Sequence, residues 1–350
     1  MMPELSEILS AVGKPTEAIE SDDGSRILVL PHGGRVIGLF PADSGRNFLW
    51  THPALENPET ARAFYDAPSW HNSGGDRTWI APEIDFFFPE YPDLSAYWQP
   101  RQLDPGNYTV RRFAESVSLA NQLHLALARS KRSVTLQITK SVSAAPNPLR
   151  YEPCMKLIEG IEYAGYTLNS SLEYITGETE SFSPVGLWNL LQMPLRGEML
   201  VGTYFAVQPT AYMGAPSHDR LTVGERLTRY KMSVPGVEKV GFRAAAGTGR
   251  VGYLYPSGDD YALVVRNFTV NASGEYIDVP RLDSTRTGDA VQACSVDNAM
   301  GSFSELEYHV PAIGDGTGRT RCDDASQVWA YRGVLAKIKI VARNLLSAEI

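Results

Sequence analysis

From residue 25 onward this chain reads as a succession of short β-rich runs broken by turn residues, with no regularly interposed helices. Arg26–Leu30 and Arg35–Phe40 flank Pro31-His32-Gly33-Gly34, which predicts two strands around a turn. Further runs fall at 116–128, 133–143, 163–175, 198–207, 252–255, 261–267, 301–310 and 334–342. Ser130-Lys131-Arg132, Pro146-Asn147-Pro148, Ser257-Gly258-Asp259-Asp260 and the glycine-rich stretch at 314–318 punctuate them. Many strands without alternating helices predict an all-β sandwich rather than a doubly wound α/β fold. Only residues 3–12 read as a helix, with Leu5, Ile8, Leu9 and Val12 on one side and Gly13 as its stop. A chain of 350 residues has room for one large β domain or two ordinary ones. With no internal repeat and no low-complexity linker, the expectation is a lead-in over 1–24 and one domain over 25–350.

Composition narrows the partners. Hydrophobic residues at 43% and charged residues at 21% match a soluble globular protein and argue against disorder. A net charge of -8 gives no general attraction for nucleic acid. No apolar run is long enough for a transmembrane helix, so no membrane partner is expected. The start, Met1-Met2-Pro3-Glu4, lacks the features of a signal peptide. Cys154, Cys294 and Cys322 are odd in number, widely spaced and clear of histidine clusters, which points to reduced thiols in a cytoplasmic protein. No metal and no cofactor is expected. Gly247-Thr248-Gly249-Arg250-Val251-Gly252 matches the dinucleotide fingerprint by letter, but Tyr253-Leu254-Tyr255-Pro256 follows where a helix is needed, so it reads as a glycine-rich turn. No GxxxxGK[ST], GxSxG or HExxH occurs. Asp22-Asp23, Asp259-Asp260 and Asp323-Asp324 read equally as solvated turns or calcium ligands. The pattern specifies no oligomeric state.

Two segments carry the density of chemistry that a site needs. Residues 70–83 hold Trp70, His71, Asp76, Arg77, Trp79 and Glu83 around a Gly74-Gly75 pair. Indole faces stack on apolar sugar faces, and the polar groups supply hydrogen bonds at a ligand's rim. The glycines permit a tight turn or a close approach to a ligand. Such a mixture fits a concave site for a hydroxyl-rich small molecule, or a buried turn locked by an arginine–carboxylate pair. Late in the chain, Ser304-Glu305-Leu306-Glu307-Tyr308-His309-Val310 puts Glu305, Glu307 and His309 on one face of a strand. That face is either solvated or lines a polar cavity, where close carboxylates repel and one pKa rises. His124 shares a strand face with Gln122 and Ala126, and Leu187-Trp188-Asn189-Leu190-Leu191-Gln192 adds an indole, Trp188, and an amide, Gln192.

Taken in order, these segments resemble the galactose mutarotase-like superfamily, the aldose 1-epimerases and their relatives. The resemblance rests on Gly33-Gly34-Arg35-Val36, Asn47-Phe48-Leu49-Trp50, the run from Gly74 to Glu83, the run from Leu187 to Pro194, and Gly301-Ser302-Phe303-Ser304-Glu305-Leu306-Glu307. The Gly-Gly-x-Arg-x-Trp-x-Ala-Pro-Glu form looks like a branch distinct from the well-known sugar epimerases. The resemblance implies a supersandwich of two large, mostly antiparallel sheets that binds a small-molecule carbohydrate. It also implies mutarotation by general acid–base ring opening. A late-strand glutamate is then the base, matched by Glu305 first and Glu307 second, with Glu307 otherwise tuning its neighbour or binding a hydroxyl. The family's histidine motifs do not recur in their usual company, so His71 and then His124 are the candidate acids. Trp70, Asp76, Arg77, Trp79, Glu83, Trp188, Gln192 and His309 are the candidate sugar contacts. Two rival readings accompany this one: a non-catalytic carbohydrate-binding protein on the same fold, and a polysaccharide lyase or hydrolase.

Overall fold

A computed structural model describes residues 4–175, 183–233, 235–281, 286–347 and 350. Two sheets dominate them. The first has nine strands, in the order β1 (Glu17–Glu20), β2 (Arg26–Leu30), β3 (Arg35–Phe40), β4 (Asp76–Ala81), β9 (Gly186–Pro194), β18 (Gly301–His309), β17 (Val291–Asn298), β14 (Gly236–Phe242) and β11 (Thr210–Met213). The second has ten: β12 (Leu221–Val223), β13 (Leu227–Lys231), β10 (Glu198–Thr203), β15 (Gly247–Ser257), β16 (Asp260–Asn267), β19 (Arg321–Gly333), β8 (Glu162–Tyr174), β7 (Ser133–Ala144), β6 (Ser116–Ala126) and β5 (Thr109–Arg112). Neighbours are antiparallel throughout. This is the expected all-β supersandwich.

Period-two alternation decides what each sheet buries. Leu191, Leu306, Val240 and Ala293 of the first sheet share a core with Tyr166, Leu168, Val264 and Val328 of the second. A buried ion pair links the two sheets. Arg266 Nη1 donates to Asp76 Oδ1 at 2.9 Å, and the Tyr166 hydroxyl donates to Asp76 Oδ2 at 2.6 Å. Asp76, a candidate sugar contact, therefore faces the second sheet and its charge is already used there.

The helices cover outer faces. α1 (Leu5–Ala11) and α2 (Pro58–Asp66) lie over β2 and β3, where Ile8, Leu9, Leu28, Leu30, Ile37, Phe40 and Ala61 form one cluster. The helix expected at 3–12 is thus present as α1, with Pro3 outside the described residues. A single turn, α3 (Glu83–Phe86), follows β4. The run at 334–342, read as β-rich, is instead the start of α4 (Leu335–Leu346). The local alternation of Lys337, Ile338, Lys339 and Ile340 mimics a strand. Over a longer window Ile338, Val341, Ala342 and Leu345 repeat at i, i+3, i+4 and i+7 and seat on Leu200, Leu263 and Val265 of the second sheet. The 198–207 strand stops at Thr203. Gly247 to Gly252 lies within β15, so no helix N-terminus meets that glycine motif.

Gly74 and Gly75 are required by backbone packing. Their φ angles are +99° and +76°, and a Cβ would stand 2.3 Å from the Trp50 carbonyl oxygen and 2.2 Å from that of Val36. The close approach is thus to neighbouring backbone, at Trp50 and on β3, rather than to a ligand. Gly75→Ala is expected to lower stability by about 1–3 kcal/mol from the backbone conformation alone, with a further loss from the contact, read as the midpoint of urea unfolding.

Candidate active site

On β4 the inward residues Asp76 and Thr78 alternate with the outward residues Arg77 and Trp79. Pairing continues this outer face across the sheet: Trp79 lies opposite Trp188, Arg77 opposite Leu190, Gln192 opposite Glu305, and Glu305 opposite Cys294, which pairs with Lys239. A cavity of about 220 Å³ opens on this face. Trp70, Trp79, Trp188 and Tyr97 line it together with Arg77, Glu83, Lys239, Arg281, Glu305 and Glu307, and an apolar flank completes it.

Three cation–carboxylate pairs organise the cavity. Arg77 Nη2 donates to Glu305 Oε1 at 2.8 Å, and Gln192 Nε2 donates to the same oxygen at 3.0 Å. The guanidinium lies 4.0 Å over the Trp79 ring, and its other arm donates to Asn72 Oδ1 at 3.2 Å. Trp79 is itself held by its indole N–H, which donates to Asp104 Oδ2 at 3.0 Å. Glu307 Oε2 accepts from the Trp188 indole at 2.7 Å and from Lys239 Nζ at 3.0 Å, while Glu307 Oε1 has no partner. Arg281 clasps Glu83 through two bonds, of 2.7 and 3.2 Å.

Burial, followed by Glu305, raises the Glu307 carboxyl from its ordinary 4.5 to about 7 against the opposing pull of Lys239. Lys239 moves up as well: burial works against its charge, but Glu307, Glu83 and Asp278 outweigh it and it stays an ammonium. Because Oε2 already accepts two donors, a proton on Glu307 belongs on Oε1. The elevated value makes a linkage prediction. Between pH 4.5 and 7 the folded chain keeps a proton on Glu307 that the unfolded chain has released, so stability falls as pH rises through that window and levels off above it. Urea midpoints from pH 5 to 8 are expected to show this slope in the parent protein and a flatter profile in Glu307→Gln.

The other candidates fall elsewhere. His309 is buried and stacks on Trp188 with ring centres 5.5 Å apart, 3.9 Å from Asp278 Oδ2, beside the cavity rather than on its wall. Burial and then Lys239 push its pKa well down. His71 bonds the Ala67 carbonyl at 2.9 Å and packs on Phe64 and Tyr65, away from the cavity. His124 is exposed on β6 of the other sheet, 2.9 Å from Thr135 Oγ1. Neither lines the cavity that holds the two glutamates: His71 sits behind an aromatic cluster and His124 lies on the opposite sheet. Sequence reading passed over Lys239, Arg281, Cys294 and Tyr97. Alternation in β14 puts Val237 and Lys239 on one face, but only pairing with β17 brings that face to Glu305.

Cys294, Glu305 and Glu307 each place one donor atom within 4.8 Å of the others, the group among the described residues that has the composition for a metal ion. Arg77 and Lys239 already pair with both carboxylates, and burial pushes the Cys294 thiol well up, away from the thiolate that a metal takes.

Fold and cavity together define a two-sheet β-sandwich with an aromatic, charge-paired cavity on the outer face of one sheet. Among solved structures the chain is similar to galactose 1-epimerase from Lactobacillus acidophilus NCFM, with a TM-score of 0.41 and 10% sequence identity over 91% of this chain and 94% of that one. No protein-family model matches the chain, and no curated protein matches it in sequence. No helix among the described residues is long and apolar enough to cross a membrane.

Proposed function

We propose that this protein binds a free aldose, or a derivative of one, in the outer-face cavity and interconverts its anomers by general acid–base catalysis. One observation carries the reading: two glutamates stand side by side in an aromatic-walled cavity, and one of them holds a proton near neutrality on an oxygen with no partner. A cavity of about 220 Å³ is smaller than the ~300–1,000 Å³ typical of larger ligands, which suits a single sugar ring.

The anomeric carbon of a pyranose bears both the reacting hydroxyl and the ring oxygen, so the two proton-transfer groups need stand only a few ångströms apart. Glu305 takes the hydroxyl proton. As the C1 carbonyl forms, the bond from C1 to the ring oxygen breaks and that oxygen takes the proton from Glu307. After rotation about C1–C2 the steps reverse on the other face, and both carboxyls recover their starting states. Arg77 and Gln192 fix the orientation of Glu305. Trp70, Trp79 and Trp188 supply aromatic wall, and Glu83 with Arg281 offers hydroxyl contacts.

The test is NMR exchange spectroscopy of α and β anomers across a panel of aldoses, uronates and sugar phosphates, with saturation transfer on the same samples. Faster exchange with binding supports the reading. Binding without exchange makes the protein a non-catalytic carbohydrate binder, an unsaturated product from a uronate polymer makes it a lyase, and no binding removes the reading altogether. His71→Ala and His124→Ala are expected to leave the exchange rate at roughly the parent value, since neither imidazole lines the cavity. A loss of 100-fold or more in either (~10²–10⁴ is typical of a lost acid or base) returns the acid role to that histidine.

A further inference from the structure

The three cation–carboxylate pairs of the cavity are not equivalent once a proton has to move. Arg77 holds Glu305, which must be ionised to act as a base. Arg281 holds Glu83 through two bonds. Lys239 holds Glu307, which must carry a proton to act as an acid. In the working state the Lys239 ammonium therefore faces a neutral carboxyl. Lys239 is 2% exposed, and its Nζ lies 4.4 Å from the centre of the Trp188 ring and 5.7 Å from that of Tyr212. Those ring faces attract a cation but carry no net charge. Among the described residues Glu307 is the carboxylate within ion-pair distance of Lys239. Asp278 also acts on Lys239, yet its oxygens accept from the Glu83 backbone N–H at 2.7 Å and from the Gln292 amide at 2.9 Å, and it does not line the cavity. A buried charge without its counter-ion is costly, and an ammonium has donors to spare beyond the one that Glu307 Oε2 takes.

The ring oxygen that receives the Glu307 proton is bonded to C5, and C5 also carries C6. A pyranose placed by the two glutamates thus sets its C6 group on the Glu307 side of the cavity, where Lys239 pairs with that glutamate. On this basis, and resting on the anomer-exchange reading above, we infer that the preferred substrate is a hexuronate, an aldose whose C6 is a carboxylate, with Lys239 as its counter-ion. The substrate then supplies the negative charge that a protonated Glu307 lacks. Its charge also favours the proton on Glu307, because a second anion beside that carboxyl opposes its ionisation. A hydroxymethyl group offers an acceptor but no charge. A 6-phosphate sets about two negative charges against one ammonium and brings a bulkier group into a cavity of about 220 Å³.

The experiment uses the full chain and compares sugars that differ only at C6: galacturonate, galacturonamide, galactose and galactose 6-phosphate, with the glucose and mannose series alongside. Dissociation constants come from titration calorimetry and anomeric exchange from NMR. At least one uronate is expected to bind about tenfold or more tighter than both its parent hexose and its uronamide, the discrimination of a charge-assisted hydrogen bond. The amide has the shape of the carboxylate without its charge, so this comparison needs no variant. Lys239→Met, which keeps the apolar stem and removes the charge, is expected to bring the ratio close to parity, with Lys239→Gln as a second variant of the same kind. Equal or better binding of every parent hexose or uronamide, with exchange intact, overturns the uronate preference and leaves the acid–base reading standing. A 6-phosphate that binds tighter than its uronate overturns the carboxylate in favour of phosphate. A preference that persists in a Lys239 variant that melts like the parent overturns Lys239 as the counter-ion. No faster exchange with any of these sugars overturns the acid–base reading and this inference with it.

Discussion

Glu305→Gln is expected to slow anomeric exchange by about 10²–10⁴-fold, the usual size of a lost general base, while sugar binding survives. The amide keeps the shape of the carboxylate and can still accept from Gln192, so the cavity retains its walls. What it cannot do is take a proton from the anomeric hydroxyl. The substitution also removes the counter-charge from Arg77, which is buried beside Trp79. Removing one partner of a buried pair typically costs about 3–5 kcal/mol, so the thermal midpoint belongs beside the rate and the assay temperature must lie well below it. Glu307→Gln is the companion measurement. Unchanged turnover in both variants would end the proposed mechanism. Loss in Glu307→Gln alone would move the base to the second glutamate.

The second large effect concerns stability. Asp76→Asn should destabilise the fold by about 3–5 kcal/mol, because it leaves Arg266 charged, buried and without its carboxylate. Arg266 is 0% exposed, and its remaining contacts are the Ser326 hydroxyl at 3.3 Å and the Tyr308 ring, 4.7 Å away. The other carboxylate that acts on Arg266, Asp324, is engaged by the Tyr308 hydroxyl. For a domain whose total stability is of the order of 5–15 kcal/mol, a loss of that size is visible in any urea titration. Sugar affinity of the folded fraction is expected to stay at the parent value, because Asp76 faces the second sheet. The reverse result, parent-like unfolding with lost affinity, would put Asp76 at the sugar.

These two residues mark how far local sequence could be read. Asp76 and Arg77 are adjacent and both polar, and a motif reading treats them alike. Strand geometry separates them: one side chain enters the sandwich and its neighbour enters the cavity. The same alternation, applied to residues 304–310, does place Glu305 and Glu307 on one face, because a period of two needs no tertiary information. The imidazoles were harder. His71, His124 and His309 are equivalent as letters, yet one packs on Phe64 and Tyr65, one is exposed on the far sheet, and one stacks on Trp188.

The helix at the C-terminus makes the same point from packing. Lys337 to Ile340 alternates like a strand, and only the exposed outer face of the second sheet, which needs a cover, selects the helical period for the longer window. Period-two patterning and turn residues thus determined by themselves that the chain builds large antiparallel sheets and that two glutamates share a face. Tertiary structure alone decided that Lys239 on β14 and Cys294 on β17 stand beside those glutamates, and that an apolar flank completes their cavity. Pairing between strands distant in sequence leaves no local trace, because it is settled by which faces the whole sandwich can bury.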